Sequence, residues 1–569
     1  MIGIDFGTTN SCAAFDDPFG AVRTASARPV NTPPYDAIIA TAVLDPLGKT
    51  PVIGVEAQER ANLGDQAPFL DSFKPLMDYL RLRERRRIAV ADQLVYSPVE
   101  QGDKHVTKYG WIDVGGPFTR DQIVAGAAAI MARLITCCRD EGAGDERVLL
   151  GLPITFSSRS RKRMIDALRR TAQLGGYHDL LRRVRFVREP VAAAAAAAYE
   201  GYDFADREVV LVFDHGGGTL DLCLVEFQRI PGFDAPMPVR ELAVGGDADV
   251  AGRAMDQALV RELQFDPETA HALETLGARM TEERVRAAKQ ALSTRPEYVI
   301  VTEAGDVEVT QELLARAVRP VLATITSELE RVCSTAGLQT TDVDRVLMTG
   351  GSSLMPVVQD TVAACFPHLD EYRLRRYDPA DDGDVERAIT EVAQGLVYVA
   401  LDNTIEQIVH WDVQLSSSEH PDFTTVAKRG TPYGRNEEGE PELVITQDIE
   451  DLHNDGMSFG VYEHQLDYDF VFGLAEVPPQ HAKTRLEIRL RPNETFPRLR
   501  LLNGAGKVVP RGPRPSGGPT DRGVEADLMA LSETELEAFF RADVEYLPDA
   551  RFEVFSHAPL ARRLTRSVQ

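Results

Sequence analysis

Apolar and polar positions follow two different patterns along the chain, and the change between them divides it in two. Up to about residue 400, short apolar runs such as VLLGL and VVLVF are separated by segments with helical periodicity, as in 120–142 and 157–176. From about 405 to 510, the runs are short, alternating and separated by turn residues. Strands that alternate with helices indicate an α/β architecture with buried sheets, whereas repeated short alternating runs indicate an all-β domain.

Four segments follow from this pattern. An α/β domain is predicted for 1–400 and a β domain for 405–510. The stretch RGPRPSGGPTDRG, residues 511–523, reads as a Pro/Gly linker because proline and glycine interrupt regular structure. The tail, 524–569, contains one acidic segment with helical periodicity and is predicted to be a short helical tail.

Charge and composition exclude several classes of protein. The chain has 569 residues and a formal net charge of −26, so long-range repulsion argues against nucleic-acid binding. No stretch holds 18 uninterrupted apolar residues, and the first residues form a strand pattern without a basic leader, so neither membrane association nor secretion is expected. The six cysteines form no CxxC pair and are interpreted as reduced thiols of a cytoplasmic protein.

Two strand-like runs end in an aspartate followed by a glycine turn and a threonine. The first is MIGIDFGTTNS at the start of the chain, and the second is VVLVFDHGGGTLD, 209–221. Glycines let backbone N–H groups approach a ligand closely, and successive N–H groups form a concave anion site. A carboxylate beside a phosphate requires a divalent cation between them, so this composition predicts binding of a Mg²⁺-phosphate group.

The two turns stand about 200 residues apart, and each leads back into another strand. We therefore predict two similar lobes that close on one nucleotide. A third turn, TGGSSLMP, 349–356, follows a strand and precedes a helix, where it would hold the adenosine side or the α-phosphate. Any one such turn is most often a simple tight turn, so the prediction of a nucleotide bound with Mg²⁺ rests on the three together.

These stretches resemble the actin-like ATPase superfamily and, within it, the seventy-kilodalton heat-shock (DnaK-like) chaperones. GIDFGTTNS is similar to the first phosphate motif, VFDHGGGTLD to the second, VREPVAAAAAAAYEG to the connecting segment and VLMTGGSSLMP to the adenosine motif. The resemblance covers about 1–400. It implies a two-lobed actin-like (ribonuclease H-like) ATPase domain, followed by a β-sandwich domain and a short helical tail.

Carried over residue by residue, the resemblance implies a metal site and a catalytic group. Asp5 and Asp214 would lie around Mg²⁺, mostly through its waters. Lys74 would neutralise charge that develops on the transferred phosphoryl group, Glu189 would position the attacking water, and Thr219 would lie near the γ-phosphate. The structural alternatives are a surface lysine at 74 and a hinge carboxylate at 189.

The same resemblance implies a larger nucleotide-binding group, drawn from the three turns and one helix. Its members are Gly7, Thr8, Thr9, Asn10, Gly216, Gly217, Gly218, Lys289, Ser293, Gly350, Gly351 and Ser352. Several positions on the base side depart from the family pattern. Arg286 stands where a glutamate is usual, Gln290 where an arginine is common, and Leu354 where an arginine normally stacks on adenine. We therefore expect looser base preference or weaker nucleotide affinity.

The expected function is a chaperone-like ATPase that uses the nucleotide cycle to control binding of extended polypeptide by its C-terminal β domain. A J-domain co-chaperone and a nucleotide exchange factor are partners implied by the resemblance alone. Because the linker VALDNTIEQ lacks the usual leucines and the tail is short, a nucleotide-gated scaffold or reactivating factor that docks one folded partner is the first alternative. A small-molecule kinase of the same superfamily is the second alternative.

Overall fold

The structure is a computed structural model. It describes residues 1–71 except 29 and 31–33, Met77, and residues 120–502 except 145–146, 155, 157, 178–179, 200–201, 231–235, 248–249, 402–405, 410–411, 418–423, 438–440, 450–456, 466–467, 478–483 and 492–497. Most residues up to Ile405 belong to one compact unit, and the strands from Asp412 onward belong to a second. Lys74, the predicted linker 511–523 and the predicted tail 524–569 lie outside the described residues.

The first unit contains both strands and helices throughout its length. Its strands are β1 (Ile2–Phe6), β2 (Asn10–Asp16), β3 (Val22–Thr24), β4 (Ile39–Ala40), β5 (Ala42–Leu44), β6 (Val52–Ile53), β7 (Phe69–Asp71), β8 (Val148–Leu152), β9 (Val184–Arg188), β10 (Arg207–His215), β11 (Leu220–Gln228), β12 (Met237–Asp247), β13 (Glu297–Ile300), β14 (Val307–Thr310) and β15 (Arg345–Thr349). Its helices are α1 (Val55–Asn62), α2 (Arg120–Asp140), α3 (Ser158–Gly175), α4 (Leu180–Arg183), α5 (Glu189–Tyr199), α6 (Gly252–Leu263), α7 (Pro267–Glu274), α8 (Gly277–Ala291), α9 (Gln311–Thr335), α10 (Pro356–Cys365) and α11 (Asp382–Leu401). The predicted α/β architecture is confirmed.

Two sheets of the first unit have the same strand order. In the first sheet, the order is β3-β2-β1-β8-β9, with β4 also paired to β2; in the second, it is β12-β11-β10-β15. In each sheet, three antiparallel strands are followed by a strand that runs parallel to the first of them. Smaller sheets are formed by β6-β5-β7 and by β13-β14. The repeated order places the ends of β1 and β10 at equivalent positions in the two sheets.

Each sheet is covered on one face by its own helices. Buried apolar residues of α2 and α3 pack with those of β1 and β8, and those of α6, α8, α9 and α10 pack with β10, β11 and β15. The described residues include one stretch, Asp121–Asp140 in α2, that is long and apolar enough to cross a membrane. Since 67% of that stretch is buried inside the protein, its apolar character is explained by packing in a core.

A third apolar core lies between the two sheets and is built around α5 and α11. It joins Leu149 and Val187 of the first sheet to Val212 and Val225 of the second. All residues of α5 except its last are buried, which explains why the sequence there is almost entirely alanine. Small side chains on α5 permit a close helix crossing, and Gly395 of α11 packs directly against the backbone of Ala192.

The second unit contains two four-stranded antiparallel sheets in its described part. The strands are β16 (Asp412–Ser417), β17 (Thr424–Ala427), β18 (Gly434–Arg435), β19 (Pro441–Ile449), β20 (Met457–Gln465), β21 (Tyr468–Val477), β22 (Thr484–Leu490) and β23 (Arg498–Leu502). One sheet has the order β17-β16-β20-β21 and the other β18-β19-β22-β23. The β character predicted for this region is present, while the sandwich arrangement stays a prediction.

Candidate functional site

The first glycine turn joins β1 to β2 and has no room for a side chain at its one glycine, Gly7. Asp5 is half-buried near the end of β1. A Cβ on Gly7 would lie 1.9 Å from the carbonyl oxygen of Asn10, so only glycine fits there. The carbonyl oxygen of Thr9 accepts a hydrogen bond from the Thr41 N–H at 2.8 Å, which fixes the turn to the neighbouring segment.

The second glycine turn joins β10 to β11 in the same manner. Asp214 is 7% exposed and lies opposite Asp221 in the strand pair. The Gly216 N–H donates to the Thr219 carbonyl oxygen at 3.0 Å and closes the turn, and Thr219 is also buried. An aspartate near the end of a strand, followed by a turn that contains glycine, is the arrangement that the sequence predicted for both hairpins.

The two turns, which belong to different sheets, face each other at contact distance. A Cβ on Gly217 would lie 2.2 Å from Thr9 Oγ1, and one on Gly218 would lie 2.2 Å from Thr8 Oγ1. The Thr8 hydroxyl is buried and has no hydrogen-bond partner among the described residues. Because a buried hydroxyl without a partner is costly, the Thr8 oxygen fits the role of a donor to a ligand oxygen at this junction.

The third turn packs against the second. Gly350 has φ +84, and a Cβ there would lie 2.6 Å from the carbonyl oxygen of His215 and 2.8 Å from Asp214 Oδ1. The Ser352 hydroxyl donates to the carbonyl oxygen of Gly216 at 2.8 Å, while Gly351 is exposed. The predicted adenosine turn is thus joined to the predicted phosphate turn through its own glycine and serine.

The start of helix α6 is bound to the second turn by three consecutive hydrogen bonds. The N–H groups of Gly252 and Arg253 donate to the carbonyl oxygens of Gly216 and Gly217 at 3.1 and 2.9 Å. The His215 ring nitrogen Nε2 donates to the carbonyl oxygen of Val250 at 3.0 Å. Burial lowers the pKa of His215 to about 4, so this histidine is neutral at neutral pH. Sequence reasoning missed His215, because one histidine beside a glycine turn carries no pattern.

Lys289 is buried beneath this junction. Its amine donates to the carbonyl oxygen of Gly252 at 2.7 Å and lies 2.6 Å from Asp256 Oδ1. Burial lowers the pKa of Lys289, and the Asp256 carboxylate acts in the opposite direction. Ser293, by contrast, lies two residues beyond the end of α8, half-buried, with its N–H donating to the Gln290 carbonyl oxygen at 3.1 Å. Lys289 thus contacts Gly252, whose own N–H donates to the second turn, whereas the backbone hydrogen bond of Ser293 lies within the end of α8.

Glu189 begins helix α5 and is 2% exposed. Its Cγ would lie 3.2 Å from a Cβ on Gly151, so a glycine in β8 makes room for this carboxylate. Asp221 accepts a hydrogen bond from the Ile154 N–H at 2.7 Å, which joins the second hairpin to the end of β8. Glu189 therefore lies on the helix between the two sheets, and Asp221 lies on a strand of the second sheet that contacts the segment after β8.

A polar network joins α1 and β7 to α8, the helix that carries Lys289. Arg279 of α8 donates to the Ala61 carbonyl oxygen at 2.8 Å and to the Asn62 side chain, and its guanidinium lies 4.5 Å from the centroid of the Phe69 ring. The Asn62 amide donates to Glu283 at 2.7 Å. These contacts tie α1 and β7 to α8. The sequence contained no signal for them, because the partners are more than 200 residues apart.

Three arginine and lysine side chains and three carboxylates meet next to this network. Asp71 lies 3.8 Å from Arg253 and 3.7 Å from Arg286, and Arg286 lies 3.3 Å from Asp256. Glu282 lies 3.9 Å from Arg253. Arg286, noted above as a departure from the family pattern, is therefore used to pair with two carboxylates of the site wall.

Glu282 gives this cluster a pH dependence that can be measured. Burial raises its pKa from 4.5 to about 7, although Arg253 and Arg286 lower it. Between about pH 4.5 and 7 the folded protein retains a proton that the unfolded chain has released, so Glu282 makes stability fall as pH rises through this window. We expect Glu282→Gln to raise the melting temperature relative to wild type more at pH 8 than at pH 5. The matched control is Glu308→Gln, at an exposed position; an equal effect of Glu282→Gln at both pH values would contradict the prediction.

The residues present fit a Mg²⁺-bound triphosphate. Thr8 supplies a buried hydroxyl that lacks a hydrogen-bond partner among the described residues, and glycine at 217 and 218 keeps side chains out of the junction between the two turns. No group of three or more histidine, cysteine or carboxylate side chains able to hold a metal occurs among the described residues. Mg²⁺ typically takes one or two carboxylates together with waters and substrate phosphates, so Asp5 and Asp214 would hold it only with the nucleotide.

Comparisons with known proteins match about two thirds of the chain. The family model described as Hsp70 protein matches residues 1–372. The chaperone protein HscA of Edwardsiella ictaluri (strain 93-146) is 27% identical over 365 residues, covering 64% of this chain and 54% of that protein. HscA homologues of Pseudomonas fluorescens (strain SBW25) and Cupriavidus necator are 28% and 29% identical over 372 and 386 residues.

The chain spans about half the length of the curated relatives it matches, 53–54% of each. The matched part contains the three glycine turns, Glu189 and Lys289. Membership of this family implies an actin-like lobed fold, which agrees with the repeated strand order of the two sheets. The family model matches residues 1–372 of 569 and not merely a single motif. The chain therefore belongs to the Hsp70 family.

Proposed function

We propose that this protein is an ATP-hydrolysing chaperone of the Hsp70 type. The observation that carries the proposal is the contact of Thr8 and Thr9 with Gly217 and Gly218, since it brings the two predicted phosphate turns, from different sheets, to one point. ATP with Mg²⁺ would bind between the two sheets. The β strands from residue 412 onward would form a peptide-binding sandwich, and the chain would act in the cytoplasm with a J-domain co-chaperone and an exchange factor.

The geometry supports a defined role for each side chain. The hydroxyl of Thr8 and the backbone N–H groups of both turns would bind phosphate oxygens. Asp5 and Asp214 would hold Mg²⁺, which neutralises charge on the phosphates when it is bound. Glu189, buried at the start of α5, would orient the attacking water and accept its proton. Lys74 and Ser293 keep their roles as predictions from the family resemblance.

Lys289 would act mainly on the shape of the site. Its amine is already engaged by Asp256 and by the carbonyl oxygen of Gly252, whose own N–H binds the second turn. These contacts fix the position of the start of α6 relative to Gly216 and Gly217. The ribose of a bound nucleotide would therefore contact side chains that are already paired with each other. Side chains engaged in this way would select weakly among bases, which fits the looser base preference expected above.

The mutual pairing of Arg286, Asp256 and Lys289 favours a second candidate function. These side chains on the base side pair with one another instead of with a base, so they would contribute little to nucleotide binding. A slow nucleotide-gated switch that docks a single folded partner would tolerate this. The two candidates differ in what the second unit binds. A chaperone binds many unrelated extended apolar peptides, whereas a scaffold binds one folded protein.

The deciding experiment is steady-state ATP hydrolysis of the full chain, with and without an extended apolar peptide. We expect Mg²⁺-dependent hydrolysis that the peptide accelerates, and loss of hydrolysis in Lys74→Ala. Hydrolysis that no extended peptide changes would contradict the chaperone and support the scaffold. Transfer of phosphate to a small acceptor rather than to water would overturn both in favour of a kinase.

Release of nucleotide is expected to depend on Arg279. Its contacts with Ala61, Asn62 and Phe69 hold α1 and β7 against α8, the helix that also carries Lys289. A cation–π contact and hydrogen bonds of this kind are together worth about 1–2 kcal/mol, so Arg279→Ala should speed release about tenfold. Stopped-flow dissociation of a fluorescent ADP measures this rate. Arg316→Ala is the control, since Arg316 pairs with Glu262 at 2.6 Å within the second sheet's own helices; equal effects of both variants would refute the assignment.

A further inference from the structure

Arg188 and Glu241 form a buried ion pair that connects the two sheets. Arg188 Nη1 lies 2.5 Å from Glu241 Oε2, with 9% of Arg188 and 1% of Glu241 exposed. Arg188 is the last residue of β9, an edge strand of the first sheet, and Glu241 lies on β12, an edge strand of the second. Two opposite charges removed from water at such depth are costly unless their geometry is well defined.

The position of Arg188 in the chain connects this pair to Glu189. Strand β9 ends at Arg188, and helix α5 begins at Glu189 without an intervening residue. An anchor on Arg188 therefore restrains the backbone that carries the Glu189 carboxylate. On the other side of that carboxylate, Gly151 of β8 leaves it room, with the Glu189 Cγ 3.2 Å from the position of a Cβ. The Arg188 anchor thus restrains the backbone of Glu189, and the glycine at 151 leaves space beside its side chain.

A local irregularity in β12 directs Glu241 toward this anchor. Leu224 pairs with Ala243 but Val225 pairs with Glu241, so Leu242 is an extra residue in the strand. A bulge of this kind reverses which side chains face each side of a sheet. Val225 belongs to the apolar core between the two sheets, so the bulge places Glu241 on that side, where α5 lies.

We propose that the Arg188–Glu241 pair is a positioning device for the hydrolytic step, which sets the distance and direction of Glu189 relative to the second glycine turn. The inference rests on the proposed ATPase function. Neither side chain touches the phosphates in this assignment, so both are positioning residues. Misplacement of a catalytic group by about 1 Å lowers rates by about 100-fold, and substrate binding by the glycine turns is not affected.

The test separates positioning from simple stabilisation. A single substitution removes one charge of the ion pair and leaves the other buried. The informative protein is therefore the double variant Arg188→Met with Glu241→Leu. Replacing a buried ion pair by apolar side chains of similar volume commonly preserves stability. We expect a melting temperature close to that of wild type, kcat lower by about 10-fold to 100-fold, and KM for ATP within about twofold.

The matched control is a second buried ion pair. It lies near the starts of β10 and β15, whereas the second glycine turn follows the end of β10. Arg345 and Glu208 lie 3.0 Å apart with 5% and 3% exposed, at the start of β15 and β10. The variant Arg345→Met with Glu208→Leu is expected to leave kcat unchanged. If kcat of the Arg188/Glu241 double variant equals that of wild type, or if both double variants lose kcat alike, the proposal is overturned.

Two further outcomes are distinguished by the same experiment. If the double variant fails to fold, Arg188→Lys, which retains the charge without the planar guanidinium, gives the answer: lower kcat at unchanged KM supports the proposal, and unchanged kcat overturns it. If wild type shows no Mg²⁺-dependent hydrolysis, the proposed function fails, and the positioning role that depends on it is rejected with it.

Discussion

Replacing Asp214 by asparagine is expected to lower Mg²⁺-dependent ATP hydrolysis by about 100-fold or more, because the side chain keeps its size but loses its charge. Asp214 is 7% exposed, and its carboxylate lies beside the backbone of the third turn. A carboxylate held at this depth, between two glycine turns, offers a cation a ligand that needs no rearrangement. The measurement is turnover against Mg²⁺ concentration at saturating ATP, together with calorimetry of ATP binding.

The control for this variant lies on the same strand pair. Asp344 accepts a hydrogen bond from the Val209 N–H at 2.8 Å near the opposite end of β10, where asparagine can also accept it. Asp344→Asn should therefore leave turnover unchanged. If Asp5 and Asp214 hold one cation, the double variant Asp5→Asn with Asp214→Asn should have about the same turnover as either single variant. The losses are not additive for groups that act as a unit. Additive losses, or Mg²⁺-dependent turnover of Asp214→Asn within about threefold of wild type, would contradict a shared metal site.

The approach of the two hairpins was predictable because it follows from local chemistry and topology. A strand that ends in aspartate, glycine and threonine specifies a tight turn at the end of a sheet, and two such strands at equivalent positions of two similar sheets present their turns alike. Glycine at positions 7, 217 and 218 indicated that the backbone of each turn is closely approached there, although the sequence pointed to a ligand as the approaching group. In the structure, the groups that approach Gly217 and Gly218 are Thr9 and Thr8 of the other turn.

The supporting contacts of the site were not predictable in the same way. Arg188 and Glu241 are 53 residues apart, and the bulge at Leu242 that directs Glu241 inward leaves no mark in the alternation of the strand. His215 and Val250 are 35 residues apart, and their hydrogen bond depends on how α6 begins. Such pairs arise from tertiary packing, for which single positions in one sequence hold no periodic signal.

The alanine run 192–198 shows a similar limit. Its helical state followed from the propensity of alanine, but an all-alanine surface has no polar face and so does not indicate which sides are buried. The structure shows that α5 is covered both by the sheets and by α11, with Val191 through Ala198 buried. The run is therefore a helix of small side chains at the junction of two sheets, and its composition reflects the space available.

Gly395→Ala is expected to destabilise the protein by about 3 kcal/mol, the upper part of the usual range for overpacking, because the added methyl would meet backbone. A Cβ on Gly395 would lie 1.8 Å from the carbonyl oxygen of Ala192 and 2.4 Å from its carbonyl carbon. In an exposed helix the same change would stabilise by about 1 kcal/mol, so the expected sign is opposite to helix propensity. Ala192 lies three residues after Glu189 in α5, so displacement of α5 should lower ATP turnover as well. Thermal and urea unfolding measure the first effect and steady-state kinetics the second; Gly144→Ala, where a Cβ has no neighbour within 4 Å, is the control. A variant as stable as wild type would show that α5 and α11 can separate without cost, and the close crossing would then have no part in holding the two sheets together.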